Sequence, residues 1–101
     1  MSNHKRAVIP RLRKSARGQA CAMNVAGVCN YTNDTTVLAH INTEGSGVGL
    51  KTDDFSAVFC CSECHRWLDQ YLGDENERLF YTRRALVRTW RIWIDERLIK
   101  I

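Results

Sequence analysis

Five cysteines constrain this chain more than any other feature, because four of them fall into two pairs: Cys21 with Cys29, and Cys61 with Cys64. The second pair reads Cys61-Ser-Glu-Cys64-His65. Two intervening residues let both thiolates reach one tetrahedral zinc ion. With Cys21 and Cys29 as the other two ligands the coordination sphere is closed, so the zinc is structural. Such a site ties the N-terminal segment to the middle of a chain that, at 101 residues, forms one domain with a modest core and gains from a staple. Cys60 stands beside Cys61, and neighbours on a strand point to opposite faces. Cys61 is therefore expected at the metal and Cys60 in the core, as a small apolar residue.

An odd cysteine count argues against a pure disulfide framework. Residues 1–20 carry six Lys or Arg and no acid, unlike a secretion signal. No apolar run approaches the ~20 residues of a membrane span. The expectation is a reduced, cytoplasmic protein with no membrane partner, whose thiols hold metal. Its net charge of +4 is unevenly spread. Residues 21–73 hold six acids against Lys51 and Arg66, while residues 74–101 hold seven bases and five acids. An acidic middle that carries the metal residues, between basic ends, is a layout that holds phosphates. A soluble domain with a basic tail has the same composition.

Residues 1–10 read as a flexible basic arm and residues 11–101 as a single domain. Arg11, Arg13, Lys14 and Arg17 belong to a short basic helix that Gly18 weakens. The Cys21–Cys29 interval, with Gly27, fits a turn. Thr35 to Ile41 is rich in β-branched and apolar residues and predicts a strand. A glycine-punctuated loop follows (Gly45, Gly47, Gly49), then a second strand over 55–60. A helix is predicted from Ser62 to about Leu72, stopped by Gly73. Asp74 and Glu77 have capping-box spacing for a C-terminal helix over 75–98. Leu79, Leu86, Trp90, Trp93 and Arg97, widened by Val87 and Ile94, predict its core face. Arg84, Arg88 and Arg91 share another face, which is either solvated or phosphate-gripping.

Two further groups bear on chemistry. His65 and Asp69, one helical turn apart, can bind one divalent cation, although an ordinary surface contact has the same spacing. His40 ends the first strand beside the glycine loop. An imidazole there can take a proton from water, although a lone histidine is more often structural.

Taken together, Leu38-Ala-His40-Ile, Gly47-Val-Gly49, Lys51-Thr-Asp-Asp54 and Cys61-Ser-Glu-Cys64-His65 resemble the HNH endonuclease superfamily, and within it small phage and prophage HNH-like nucleases. The likeness covers about residues 11–70. It implies an α+β fold, a zinc-stapled ββα-metal domain with an added C-terminal helix. It implies His40 as the general base, and His65 with Asp69 as ligands of a catalytic Mg²⁺ or other divalent cation. It places Asp54 where family members carry a central Asn. Ala39 stands where many carry a metal ligand, and Asp54 is the residue expected to bend in as its substitute. DNA is the implied substrate, held by Arg11, Arg13, Lys14, Arg17, Lys51, Arg84, Arg88 and Arg91. A homodimer is compatible with all of this. Two rival readings are a zinc-stapled nucleic-acid-binding module without catalysis, which the alanine at 39 favours, and an interaction protein whose zinc is purely structural.

Overall fold

The structure is a computed structural model that describes residues 6–41 and 52–100. Its elements are α1 (Pro10–Ser15), a single 3-10 turn (Asn33–Thr35), β1 (Val37–His40), β2 (Ala57–Cys60), α2 (Ser62–Asp69) and α3 (Glu75–Asp95). This is a small α+β architecture of one two-stranded sheet and three helices. The glycine loop, residues 42–49, and Lys51 lie outside the described residues.

β1 and β2 pair antiparallel, with Val37 opposite Cys60 and His40 opposite Ala57. All four residues of β2 are buried, so this strand is the middle of the molecule. Its outer edge is closed from two sides. The Phe59 amide donates to Thr89 Oγ1 on α3 at 3.1 Å, and the Phe59 carbonyl accepts from the Ala22 amide at 2.9 Å. An exposed strand edge is thereby blocked. The Phe59 ring meets Trp93 edge-on, with centroids 5.9 Å apart, a favoured aromatic geometry. Leu12, Met23, Val58 and Ala85 complete this core.

α2 follows β2 after one residue. Cys61 is its N-cap, and its sulfur accepts the Cys64 amide at 3.4 Å. The helix ends earlier than expected, and its stop is not Gly73: Tyr71 takes the left-handed conformation, φ 53°. Gly73 is required for another reason. A Cβ there would lie 2.0 Å from the Trp67 ring, so only glycine lets the chain pass that indole. α3 then opens with the expected capping box. The Glu77 amide donates to Asp74 Oδ1 at 2.8 Å, and Glu77 Oε1 accepts the Asp74 amide at 3.2 Å, which together stabilise the helix start by about 1 kcal/mol. It closes at Asp95, short of the expected 98, because Arg97 turns left-handed (φ 59°) and the Leu98 amide reaches back to the Trp93 carbonyl at 2.8 Å.

Two expectations are corrected here. Of the expected core face of α3, Trp93 is buried and Leu86 packs against the core, but the other fully buried residues are Ala85 and Thr89. Leu79, Val87 and Trp90 are exposed. Small residues are buried because β2 approaches closely enough for the Thr89 hydroxyl to hydrogen-bond a strand amide. Nor is the N-terminal arm loose up to Pro10. The Ala7 amide donates to Asp53 Oδ1 at 2.6 Å, and the Asp54 amide donates to the Ala7 carbonyl at 2.9 Å. No helix among the described residues is long and apolar enough to cross a membrane.

Candidate active site and metal centre

Cys21, Cys29, Cys61 and Cys64 converge, with all ligand atoms within 4.8 Å of one another. The Cys61 and Cys29 sulfurs are 3.8 Å apart. That is about the edge of a tetrahedron with Zn–S bonds of roughly 2.3 Å, so the four residues fit zinc and can hold it. Amides already point at the sulfurs: Asn24 at Cys21 (3.5 Å), Val25 at Cys64 (3.4 Å) and Cys64 at Cys61. Such donors stabilise thiolate charge. Hydrogen bonds from Cys60 and Cys64 drive the Cys21 thiol far below its ordinary range. Cys60 goes the opposite way. Its hydrogen bonds to Cys21 and Cys64, with burial, hold it strongly protonated, and its sulfur also contacts Met23. It is the neutral core thiol its place beside Cys61 predicts.

The knuckle between Cys21 and Cys29 is bolted to α3 by two of the arginines expected to hold DNA, Arg84 and Arg88. Arg84 donates to the Met23 carbonyl at 2.8 Å, and Arg88 to the Ala22 carbonyl at 3.2 Å and Asn24 Oδ1 at 3.0 Å. Arg84 also stacks on Phe80 and Tyr81. These guanidiniums are engaged within the fold, where they satisfy knuckle carbonyls. Arg91 lies 4.0 Å from Asp95 on the surface. Arg11 donates to the Leu98 carbonyl at 2.8 Å, while Lys14 and Arg17 are exposed.

At the other end of the hairpin His40 meets Asp54. Nε2 lies 2.8 Å from Oδ1, and the carboxylate is fully buried while the imidazole keeps about a third of its side chain (35%) in solvent. Asp54 Oδ2 accepts from the Ile9 amide at 2.6 Å and from Arg13 Nε at 2.9 Å. Burial raises the Asp54 pKa, but the hydrogen bonds from Arg13, His40 and the Ile9 amide outweigh it and bring it down to about 2. Asp54 is therefore ionised and fully engaged. It does not bend in as a substitute metal ligand; it orients His40. Arg13 is likewise committed to this buried carboxylate rather than to a phosphate. Because a carboxylate only accepts, Nε2 carries a proton, which in the neutral ring leaves the Nδ1 lone pair free.

His40 lines a cavity of about 600 Å³, together with Asp69, Glu75, Arg78 and Arg83 over a floor that includes Ile41 and Leu86. Asp69 is also the link to His65. The pair is 3.2 Å apart, Nε2 to Oδ2, and borders a second hollow with Thr35, Ser62 and Arg66. Asp69 thus forms a wall common to both histidines. Ala39 is buried opposite Val58 and offers nothing to a metal. Among the described residues, no third imidazole, thiol or carboxylate joins His65 and Asp69 in a ligand cluster. Arg83, Arg78 and Glu75 were not anticipated as site residues; only the run Thr82-Arg83-Arg84 marked the place, and which arginine faces the cavity depends on how α3 docks.

The family described as "Putative nuclease YbcO" matches residues 10–97. Two proteins bearing that description, one from Escherichia coli (strain K12) and one from Enterobacteria phage 82, are each 39% identical over 92 residues, covering 88% of this chain and 96% of the relative. A solved structure, that of "a putative bacteriophage protein" from E. coli K-12 MG1655, superposes with a TM-score of 0.73 at 35% identity. It covers 86% of this chain and 100% of its own. The family match spans both the cysteine cluster and the His40–Asp54 pair, and the chain belongs to the YbcO family.

Proposed function

We propose that the chain is a metal-dependent endonuclease that hydrolyses DNA phosphodiester bonds in the manner of HNH enzymes, in phage or prophage DNA processing. The carrying observation is the 2.8 Å His40–Asp54 pair at the edge of a cavity that Asp69, Arg78 and Arg83 also line. His40 Nδ1 accepts the proton of the attacking water, and the buried Asp54 carboxylate holds the ring in the required tautomer and stabilises the imidazolium that forms. Arg83 and Arg78 face the scissile region and offset phosphate charge. His65 and Asp69 are the residues that would hold a divalent cation, which when bound stabilises the charge developing on phosphate oxygens. With two ligands among the described residues, such an ion would keep several waters, as Mg²⁺ commonly does. Cys21, Cys29, Cys61 and Cys64 would hold a zinc that ties β2 and α2 to the N-terminal knuckle.

The absence of a third ligand among the described residues favours a second reading, DNA binding without cleavage. Supercoiled plasmid incubated with the zinc-loaded protein separates the two. Nicking with Mg²⁺ or Mn²⁺ that EDTA stops supports the enzyme. Salt-sensitive binding with intact plasmid under every divalent metal supports the binding module.

A further inference from the structure

The cavity beside His40 holds more apolar surface than contacts to paired DNA require. Phosphates and sugars call for cations and hydrogen-bond donors, and Arg78 and Arg83 supply them. Among the described residues, Ile41, Leu68, Leu79 and Leu86 also line this space of about 600 Å³. Leu79 keeps 51% of its surface open. A largely apolar cavity of that volume with a few polar groups takes a small ring-shaped group. Tyr71 stands on its wall. It is 72% exposed and left-handed, φ 53°, just past the end of α2, where glycine or asparagine strains the backbone less. The turn alone therefore does not call for a tyrosine. The Arg78 guanidinium lies over the Tyr71 ring, 4.8 Å from its centroid, and donates to the Gly73 carbonyl. An aromatic ring stacked on a fixed cation, with most of its surface free, is a platform on which nucleobases stack.

We infer that the cavity receives one unpaired nucleobase next to the scissile phosphate, so that the substrate is DNA carrying unpaired nucleotides rather than a continuous duplex. The inference rests on the proposed nuclease site, since His40 is what puts the phosphate at the cavity's edge. Bases inside a duplex have both faces covered by their neighbours and cannot offer them to leucines or a tyrosine. A base turned out of the stack can. Its phosphate stays with Arg83, while Thr82 and Glu75 stand in the same lining to meet its polar edge. Stacking accepts any base, because every base has a π-face. The selection is therefore for structure and not for sequence. Unstacking costs least where a base is already unpaired, which favours a bulge or a single-stranded gap.

Fluorescence anisotropy on the zinc-loaded full chain, without added Mg²⁺ or Mn²⁺, tests this on three labelled duplexes. One is fully paired, one carries an unpaired adenosine, and one carries an unpaired abasic residue. The last two share the bend and the phosphate count and differ only in the base. The adenosine duplex should bind about tenfold tighter than the abasic one, and Tyr71→Ala should bring that ratio to about one with an unchanged circular dichroism spectrum. Leu79→Ala should lower the same ratio, should the first variant misfold. Equal affinity for the adenosine and abasic duplexes overturns the inference, as does a ratio that both variants retain. So does a fully paired duplex that binds as tightly as the adenosine one. Plasmid nicking with Mg²⁺, assayed separately, decides the nuclease itself. Equal affinities beside metal-dependent nicking leave a nuclease indifferent to unpaired bases. A ratio that favours the base, without nicking, keeps the base pocket in a protein that binds and does not cut.

Discussion

His40 Nε2 donates to a carboxylate, Asp54 Oδ1, at 2.8 Å, and no part of that carboxylate reaches solvent. A buried anion of this kind persists only because it is fully partnered. Asp54 has three partners: an imidazole, a guanidinium and the Ile9 amide. Two of them come from the N-terminal segment, so the orientation of His40 depends on residues 9–13 as much as on the hairpin.

The stability of this pair follows from its depressed pKa. Asp54 ionises at about 2 in the fold, against about 3.9 when unfolded. Its contribution is complete above the unfolded value and disappears as pH falls through the folded one. The gap corresponds to about 2.5 kcal/mol. Because acid also releases metal from the thiolates, the loss is read as the difference in urea unfolding between the parent and Asp54→Asn at pH 7 and at pH 2. Asp54→Asn should be weaker by about 3 kcal/mol at pH 7, with a flatter acid limb. An equally steep acid limb in Asp54→Asn would contradict the assignment.

On the proposed function, zinc at the cysteine cluster would hold the fold together. Atomic absorption should find one zinc per chain, and Cys61→Ser should lose it. Structural zinc contributes on the order of 10 kcal/mol in small domains, so EDTA at raised temperature should unfold the parent and zinc should restore it. A chelated protein with an unchanged melting temperature would contradict the cluster's role.

Gly73→Ala should destabilise by about 2 kcal/mol, since its Cβ would press into the buried Trp67 indole. Thermal unfolding by circular dichroism measures it, and a neutral result would show that the chain passes the ring elsewhere.

Neighbouring arginines on α3 should behave differently. Arg83→Ala should lower the slope of DNA affinity against salt by about 1 without a change in melting temperature. Arg84→Ala should leave the slope alone and cost about 2 kcal/mol of stability, because it strips a charged partner from the Met23 carbonyl. Fluorescence anisotropy at several salt concentrations, beside urea unfolding, distinguishes them.

The parts of the fold legible in the sequence are those set by local chemistry. The Asp74–Glu77 box works across three residues, and both of its hydrogen bonds form. Alternating strand faces separate Cys61 from Cys60, and Cys61 alone joins the cluster. What the sequence conceals depends on docking. Trp93 marks the core face of α3 correctly, but Leu79, Val87 and Trp90 misdirect the rest of it, because the close approach of β2 selects Ala85 and Thr89. Arg84 and Arg88 look like a phosphate grip until the knuckle carbonyls some sixty residues earlier in the chain come beside them. Asp54 looks like a loop or metal residue because its bond to His40 exists only once the hairpin has closed.

The central claim is that His40, oriented by Asp54, is the base of a nuclease. The most direct test is nicking of supercoiled plasmid with Mg²⁺ or Mn²⁺ by the parent and by His40→Ala, at matched zinc content and matched melting temperature. The account predicts metal-dependent nicking by the parent and a loss of at least about a hundredfold in the variant. Equal nicking by the two proteins would contradict it.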